Sequence, residues 1–480
     1  GLASFSLQTS VGPIGWRSGD HGDADHTEWV RIDLGAEQEI DLIALVPALA
    51  RGGYNAYETD AFPLRFQIIA GTEHDVEGKV IASFSEQDAV TPRIAPLCIP
   101  CPRTRASWIK LEATRLGVRS WDGRYVLQLA EMMVFRDQEN IALGCPLKTS
   151  SDDNYNQGAR QTPFLVDGAL PYLMHSPGKK TTAYFTRLEE GTVANFTVDL
   201  GGVFPVNRLR MHSMDVSDTV PQANRANFAF PQHLILEGAL QPDFADARVL
   251  CEYVQKSMYD VSSIVQLRFT ELPCRYLRFS VPAADFVDSA EIDTRVDLLG
   301  FAELEVFAGG RNVLAGCEIS ADFDDSSAHN TPAFLTDGAN AYGSIIDTRD
   351  WIEQLALRHD LETERPQVQA SLDGLFSEQE QQFALLKNLS FLIGGALAIV
   401  ILLSHIIRLR QMSRLRQRLA ADLHDQVGAN LHAIGLLSDI AREEALMLAP
   451  TEEQAPLLSA VGEIRDTTER TAASVRHCSD

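Results

Sequence analysis

Basic charge is scarce in this sequence. Lys and Arg number 41 against 66 Asp and Glu, a formal net charge of −25 over 480 residues. Nucleic-acid binding needs clustered Lys and Arg at the phosphates, so nucleic acid is excluded as a partner. The acidic excess is read as solubility. A secretory leader is also missing. Residues 1–10 (GLASFSLQTS) have no basic start and no long apolar run. With Gly1 rather than Met in first place, the expectation is a mature or truncated piece whose targeting signal lies upstream. No carboxylate pair stands out as a hydrolase site, and no catalytic domain of a carbohydrate-active enzyme is visible. What is present excludes disorder. Hydrophobic residues make up 45%, the level of packed domains, and the chain is too long for one ordinary domain.

Cysteine is sparse. Six (Cys98, Cys101, Cys145, Cys251, Cys274 and Cys317) precede the long apolar run described next, and Cys478 follows it. An even set on one side of a membrane fits disulfides in an oxidising compartment, with the pairing unreadable. Cys98-Ile-Pro-Cys101 has the spacing of a redox or zinc site. No second such motif accompanies it, so a local disulfide or two unpaired thiols is the favoured reading.

Leu389–Ile407 (LSFLIGGALAIVILLSHII) carries no formal charge when His405 is neutral. At the helical rise it spans roughly 28 Å, close to the hydrocarbon thickness of a bilayer. Lys387 precedes it; Arg408, Arg410, Arg414, Arg416 and Arg418 follow. The positive-inside rule then places the Arg-rich side in the cytoplasm and residues 1–387 outside. The lipid bilayer is therefore an expected partner.

The outer part repeats itself. Trp29-Val-Arg-Ile-Asp-Leu-Gly35 matches Asn195-Phe-Thr-Val-Asp-Leu-Gly201. Leu129-Ala-Glu-Met-Met-Val-Phe135 matches Phe301-Ala-Glu-Leu-Glu-Val-Phe307. Asn140-Ile-Ala-Leu-Gly-Cys145 matches Asn312-Val-Leu-Ala-Gly-Cys317, and Phe164-Leu-Val-Asp-Gly168 matches Phe334-Leu-Thr-Asp-Gly338. Short alternating blocks rich in β-branched and aromatic residues, with Pro, Gly, Asn and Asp between them, predict strands with one buried face. The fold class expected is multidomain: tandem all-β sandwiches outside, one transmembrane helix, and an α-helical hairpin inside.

These blocks resemble discoidin-type (coagulation factor 5/8 C-terminal) domains with the galactose-binding-like jelly roll, over roughly residues 15–340. The resemblance implies an unknown extracytoplasmic ligand held by inter-strand loops. Trp121, Tyr54 and Tyr57 are candidates to stack on a sugar or to pack locally. Asp167 and Asp337 are candidate calcium ligands or plain Asp-Gly turn residues, and no metal site is assigned. The expected boundaries are 1–139 and 140–311 for the two sandwiches and 312–346 for the opening of a third repeat. A helical connector at 347–388 and the membrane helix at 389–407 follow, then a pair of helices at 408–480.

The connector should be helical from Trp351 to Arg365 and interrupted at Pro366. Beyond it, Leu372, Leu375, Phe376, Phe383 and Leu386 suit a helix pair or short coiled coil, or a passive stalk. Past the membrane run, Leu415, Leu419, Leu423, Val427 and Leu431 recur every four residues, with Ile434 and Leu437 continuing the stripe. That predicts an amphipathic helix seeking a partner. Ala449-Pro450 should end it, and Thr451-Glu-Glu-Gln454 has the form of a capping box for a second helix. Two copies of such a hairpin would make a four-helix bundle, hence an expected homodimer.

Within the first helix, His424 follows Leu423 of the stripe, and Asp425 follows His424. A neutral exposed imidazole is a nucleophile, and a neighbouring carboxylate can orient it or take its proton. Gly428 stands one turn beyond, where a small side chain leaves room for a docking domain. Asp422-Leu-His-Asp-Gln-Val-Gly428, after an apolar run and an Arg-rich helix, resembles the dimerisation and phosphoacceptor domain of subgroup 3 bacterial histidine kinases, over about residues 414–480. The resemblance implies autophosphorylation of His424 from ATP, Asp425 as assisting base, and transfer to a response regulator aspartate. The implied place is the bacterial inner membrane, crossed once. The family's Gln five residues after the histidine, implied in regulator dephosphorylation, is replaced by Ala429. His432 and His477 match no motif position. No ATP-binding domain is visible after His424, so the expectation is a fragment that does not hydrolyse ATP alone. The alternative is a non-catalytic receptor or adhesin whose inner helices only dimerise.

Overall fold

The computed structural model describes residues 1–5, 14–52, 56–88, 90–153, 158–188, 192–213, 230–256, 262–282, 297–323, 330–447 and 454–477. Tyr54, Cys478 and most of the expected capping box lie outside these residues. The chain forms two compact units, Gly1–Gln367 and Val368–Asp480.

The first unit holds two β lobes. In lobe one the strands are β1 (Trp16–Arg17), β2 (Glu28–Pro47), β3 (Leu49–Gly52), β4 (Ala56–Thr59), β5 (Arg65–Gly71) and β6 (Lys79–Phe84). Then come β7 (Leu97–Arg115), β8 (Gly117–Val118), β9 (Tyr125–Val126), β10 (Gln128–Arg136), β11 (Glu139–Asn140) and β12 (Leu147–Thr149). Lobe two has β13 (Tyr184–Leu188), β14 (Ala194–Ser213), β15 (His233–Ala239), β16 (Arg248–Val254), β17 (Ile264–Val281), β18 (Asp297–Ala308), β19 (Arg311–Asn312) and β20 (Ile319–Ala321). The main sheets run β1-β10-β2-β7-β5-β6 and β13-β18-β14-β17-β15-β16, the same order twice. The duplication read from the sequence is therefore a duplication of topology.

Each sheet folds over itself at a bend in its longest strand. In β2 the buried residues alternate through Val30, Ile32 and Leu34. Gly35 then takes φ +80°, and its N–H donates to Asp33 Oδ1 at 3.1 Å. An L side chain rarely adopts that φ, so the V-D-L-G block is a strand ending in a Gly-dependent turn. Beyond the register shift, Ile40, Ile43 and Leu45 return to the same core as Val30 and Ile32. Two halves of one strand facing one core make the lobe a sandwich.

The expected unit boundaries need correction. The cut at 139/140 falls inside the β10–β11 hairpin, and the chain beyond it returns to lobe one. β12 pairs with β2, and Leu165 and Val166 enter the first core. By the same rule β19 pairs with β18 and β20 with β14, while Leu335 is buried in the second core. Residues 312–346 therefore close lobe two rather than opening a third. The Asn-x-x-x-Gly-Cys block ends a repeat because its backbone hydrogen bonds are satisfied by preceding strands.

The disulfide expectation also fails: Cys98, Cys101, Cys145, Cys251, Cys274 and Cys317 are all free. Cys98 and Cys101 sit three residues apart on β7, so the pleat sends them to opposite faces. Cys101 lies in the first core and Cys98 packs against the opposite layer.

α1 (Thr348–Met447) runs through Pro366, so the expected interruption there does not occur. Proline removes one i→i−4 bond, and the flanking helix formers continue the ladder on either side. In the second unit α1 and α2 (Gln454–His477) form a hairpin. Arg465 pairs with Asp439 across it, Gln454 Nε2 donates to the Ala445 carbonyl, and Ser438, Ala445 and Thr468 are buried. The segment 389–407 is exposed throughout, and α1 is long and apolar enough there to cross a membrane.

Candidate functional site

Two places bear on function: the segment around His424 in the second unit, and the root of α1 in the first.

His424 is half-buried on α1, and Asp425 is exposed. Of the two imidazole nitrogens, Nδ1 is buried with no hydrogen-bond partner among the described residues. No hydrogen bond joins Asp425 to His424 among the described residues. Consecutive helical residues point about 100° apart, so the pair does not share a face. Gly428 has open space around it: an added Cβ would meet nothing within 4 Å. The stripe expected to seek a partner is largely unpacked within one chain. Leu419 is 54%, Leu423 59% and Leu437 65% exposed. Leu431, Gly435 and Ser438 turn instead toward α2, where Val461, Arg465 and Thr468 are at least half-buried. The hairpin thus uses one face of α1 and leaves the leucine face for another surface.

At the root of α1, Trp351, Ile352 and Leu355 are buried in a core with Leu42, Ala44, Val46, Met133 and Phe135 of lobe one. Tyr172 of the inter-lobe segment joins them, its ring 6.4 Å from Trp351 and edge-on to it. This explains why the second half of β2 is apolar on both faces. One face fills the sandwich, and the other receives the helix. Ion pairs surround the contact. Arg349 binds Asp41 at 2.9 Å, and Arg93 binds Asp360 at 2.9 Å.

Lobe two presents a different face at the matching positions. Where lobe one has Leu42, Ala44 and Val46, lobe two has Arg208, Arg210 and His212; where lobe one has Met133, lobe two has Glu305. Glu305 is buried and paired with Arg210, and its Oε2 lies 2.8 Å from His212 Nε2. Arg210 Nη1 donates to Thr348 Oγ1 at 2.9 Å, and Nη2 to the Ile346 carbonyl at 3.3 Å. Burial alone would raise the Glu305 carboxyl. Arg210 and His212 outweigh burial and hold it down at about 2, while burial lowers His212. Sequence reading missed this group because charged residues in a strand ordinarily mark the solvent face. The available signal was the break in the repeat, charge standing where the first copy has Leu, Ala and Val.

The other candidates are dispersed. Trp121 is 68% exposed, with the Arg119 guanidinium 4.5 Å from its ring centroid. Tyr57 packs against the core at the helix root. Asp167 and Asp337 act as turn residues, accepting from the N–H of Ala169 at 2.8 Å and Ala339 at 3.1 Å. Beside them Glu131 and Glu303 accept from the N–H of Gly168 and Gly338, both at 3.0 Å. Burial pushes Glu303 up to about 9, and Glu131 well above the carboxylate range.

Residues 416–480 match the family HisKA_3, described as histidine kinase. This segment is a histidine kinase phosphoacceptor and dimerisation domain. No curated protein matches the chain. Among solved structures, the chain is similar to a CBM32 module from a family 31 glycoside hydrolase of Clostridium perfringens. The two are 14% identical with a TM-score of 0.18, covering 26% of this chain and 71% of that one. It is also similar to a fucolectin from striped bass (Morone saxatilis) serum, at 15% identity and TM-score 0.17, covering 60% and 83%. A third is the CBM32-1 and CBM32-2 pair of Clostridium perfringens ZmpB in complex with GalNAc, at 11% and 0.19, covering 62% and 84%.

Proposed function

We propose that this chain is the sensing and phosphoacceptor part of a membrane-bound sensor histidine kinase in a two-component system. The observation that carries the reading is the histidine kinase match over residues 416–480, which includes His424 and Asp425 in Asp-Leu-His-Asp-Gln-Val-Gly. In this reading Leu389–Ile407 crosses the bacterial inner membrane once. The Arg-rich flank lies in the cytoplasm and the β lobes face outward.

Two chains associate through the exposed leucine face of α1, forming a four-helix bundle. ATP is held by a catalytic domain outside these 480 residues. His424 Nε2 attacks its γ-phosphoryl group, the bond to the bridging oxygen breaks, and ADP leaves. Asp425 assists by taking the ring proton, and the phosphoryl group passes to a response regulator aspartate. The α1 root links this chemistry to the outside. An unidentified ligand that shifts one lobe against the other works on Trp351 through lobe one and on Thr348 through lobe two. The partial exposure of His424 and the unfilled space at Gly428 support the docking that transfer requires.

The test is phosphotransfer to the full chain in detergent, with ATP and a catalytic domain from the same kinase subgroup. Acid-labile phosphate is expected on His424 and absent in His424→Gln. A correctly dimeric wild type that takes no label from several active donors would sink the reading and leave a non-catalytic receptor.

A further inference from the structure

We infer that lobe one carries a binding site for a divalent transition metal ion of the zinc type, made by His21, His26 and Glu28. The three offer donor atoms that all lie within 4.8 Å of one another. They occupy the loop between β1 and the first residue of β2. Imidazole and carboxylate together suit zinc and its neighbours, whereas calcium and magnesium take oxygen alone.

The set is built rather than accidental. His21 is fixed through its backbone, which exchanges hydrogen bonds with Tyr125 at 2.9 and 3.0 Å. Glu28 opens β2 and is buried, with only 2% of its surface exposed. Its Oε1 accepts from Ser151 Oγ at 2.8 Å, and Oε2 accepts from Ser150 Oγ. Those hydroxyls are held in turn: Ser151 Oγ accepts from the Gly19 N–H at 2.9 Å, and Ser150 Oγ from the Trp29 N–H at 2.8 Å. Such outer-layer bonds orient a metal-binding carboxylate. The third donor, His26, is exposed and stacks on His21 with ring centroids 3.6 Å apart.

Two acids that neighbour the histidines in sequence are already engaged. Asp20 is paired with Arg124 and Asp25 with Arg115. His21 Nε2 and Glu28 Oε1 stand 2.6 Å apart, joined by a hydrogen bond. Metal bonds near 2.0 Å at a tetrahedral angle set neighbouring donors at roughly 3.3 Å. The ion therefore replaces a proton and opens this pair by less than about 1 Å, with His26 turning off its stack to supply the third bond. A fourth position stays open to water or a small anion. Nothing in the fold demands these side chains, because lobe two has Arg187, Thr192 and Ala194 at the matching places.

The experiment uses the untagged full chain in detergent micelles. Zn²⁺ alone is titrated by calorimetry, and Co²⁺ is followed by visible absorption. One Zn²⁺ per chain is expected, with Co²⁺ bands of low-coordinate type. His26→Ala removes an exposed ligand, so its fold should be retained, and affinity should drop by at least about tenfold. Zn²⁺ should raise the unfolding temperature of wild type and not of the variant. Asp23→Asn, in the same loop but outside the set, should bind as wild type does. Absence of stoichiometric Zn²⁺ binding overturns the site, as does equal binding by His26→Ala or loss in Asp23→Asn.

Discussion

Arg210 and Glu305 form a buried ion pair in lobe two, and the same guanidinium grips Thr348, the first residue of α1. Their counterparts in lobe one, Ala44 and Met133, bury Trp351 of the same helix. One helix root is thus seated on an apolar face in one repeat and tied to an ionic face in the other.

Breaking that pair on one side should cost far more than removing it whole. Arg210→Met leaves Glu305 buried without its cation, and such losses run to about 3–5 kcal/mol. The Arg210→Met, Glu305→Leu double variant should lose less than Arg210→Met alone. Hydrogen exchange at β14 and β18 reads both. Equal protection in Arg210→Met and wild type would contradict the role given to the pair.

Glu303 makes stability depend on pH. Its carboxyl rises from the usual 4.5 to about 9 because it is buried, so the folded chain keeps a proton that the unfolded chain releases. A raised pKa contributes stability fully below about pH 4.5, lost progressively as pH climbs toward 9. Glu303→Gln keeps an acceptor for the Gly338 N–H and removes the titration. Its stability should fall less steeply between pH 5 and 9, by up to ~1.4 kcal/mol per pH unit, in urea unfolding. Parallel slopes would show that the proton is not held.

Asp425 is exposed, so Asp425→Asn should leave helix content and oligomeric state unchanged. General acid–base assistance contributes roughly 10²–10⁴-fold, and the label on His424 should form slower by a factor in that range. An unchanged rate would remove Asp425 from the chemistry.

Gly428→Ala separates folding from docking. The added Cβ meets nothing within 4 Å in the chain. Helix propensity alone should then stabilise the hairpin by about 0.5–1 kcal/mol. Phosphotransfer should nonetheless fall, because the methyl group intrudes on the approaching domain. Stabilisation with undiminished transfer would show that the space is not used.

Leu437 is 65% exposed on the leucine face. Leu437→Glu should keep the α1–α2 hairpin and shift the chain from dimer to monomer, measured by light scattering in detergent. A dimer that survives would place the contact elsewhere.

Much of this was legible in the residues because it rests on local pattern. The repeat, the turn at Gly35, the apolar run at 389–407 and the four-residue stripe around His424 are statements about spacing. Spacing alone decides which face a side chain takes on a strand or helix. The cysteines show where that reasoning stops: six residues on one side of the apolar run suggested bridges, yet Cys98 and Cys101 lie on opposite faces of one strand. The lobe boundaries were misplaced for a related reason. Asn140 and Asn312 each begin a recognisable block, but which sheet receives that block depends on hydrogen bonds to strands over a hundred residues earlier.

The sequence by itself determined the class of each segment: β repeat, membrane-crossing length of helix, and a histidine-bearing amphipathic helix. Composition and periodicity are sufficient for that. Only the tertiary structure decided that Arg210, His212 and Glu305 turn inward onto the root of α1, and that His21, His26 and Glu28 converge. Both groups depend on side chains meeting across loops and sheets, where distance along the chain says nothing about distance in space.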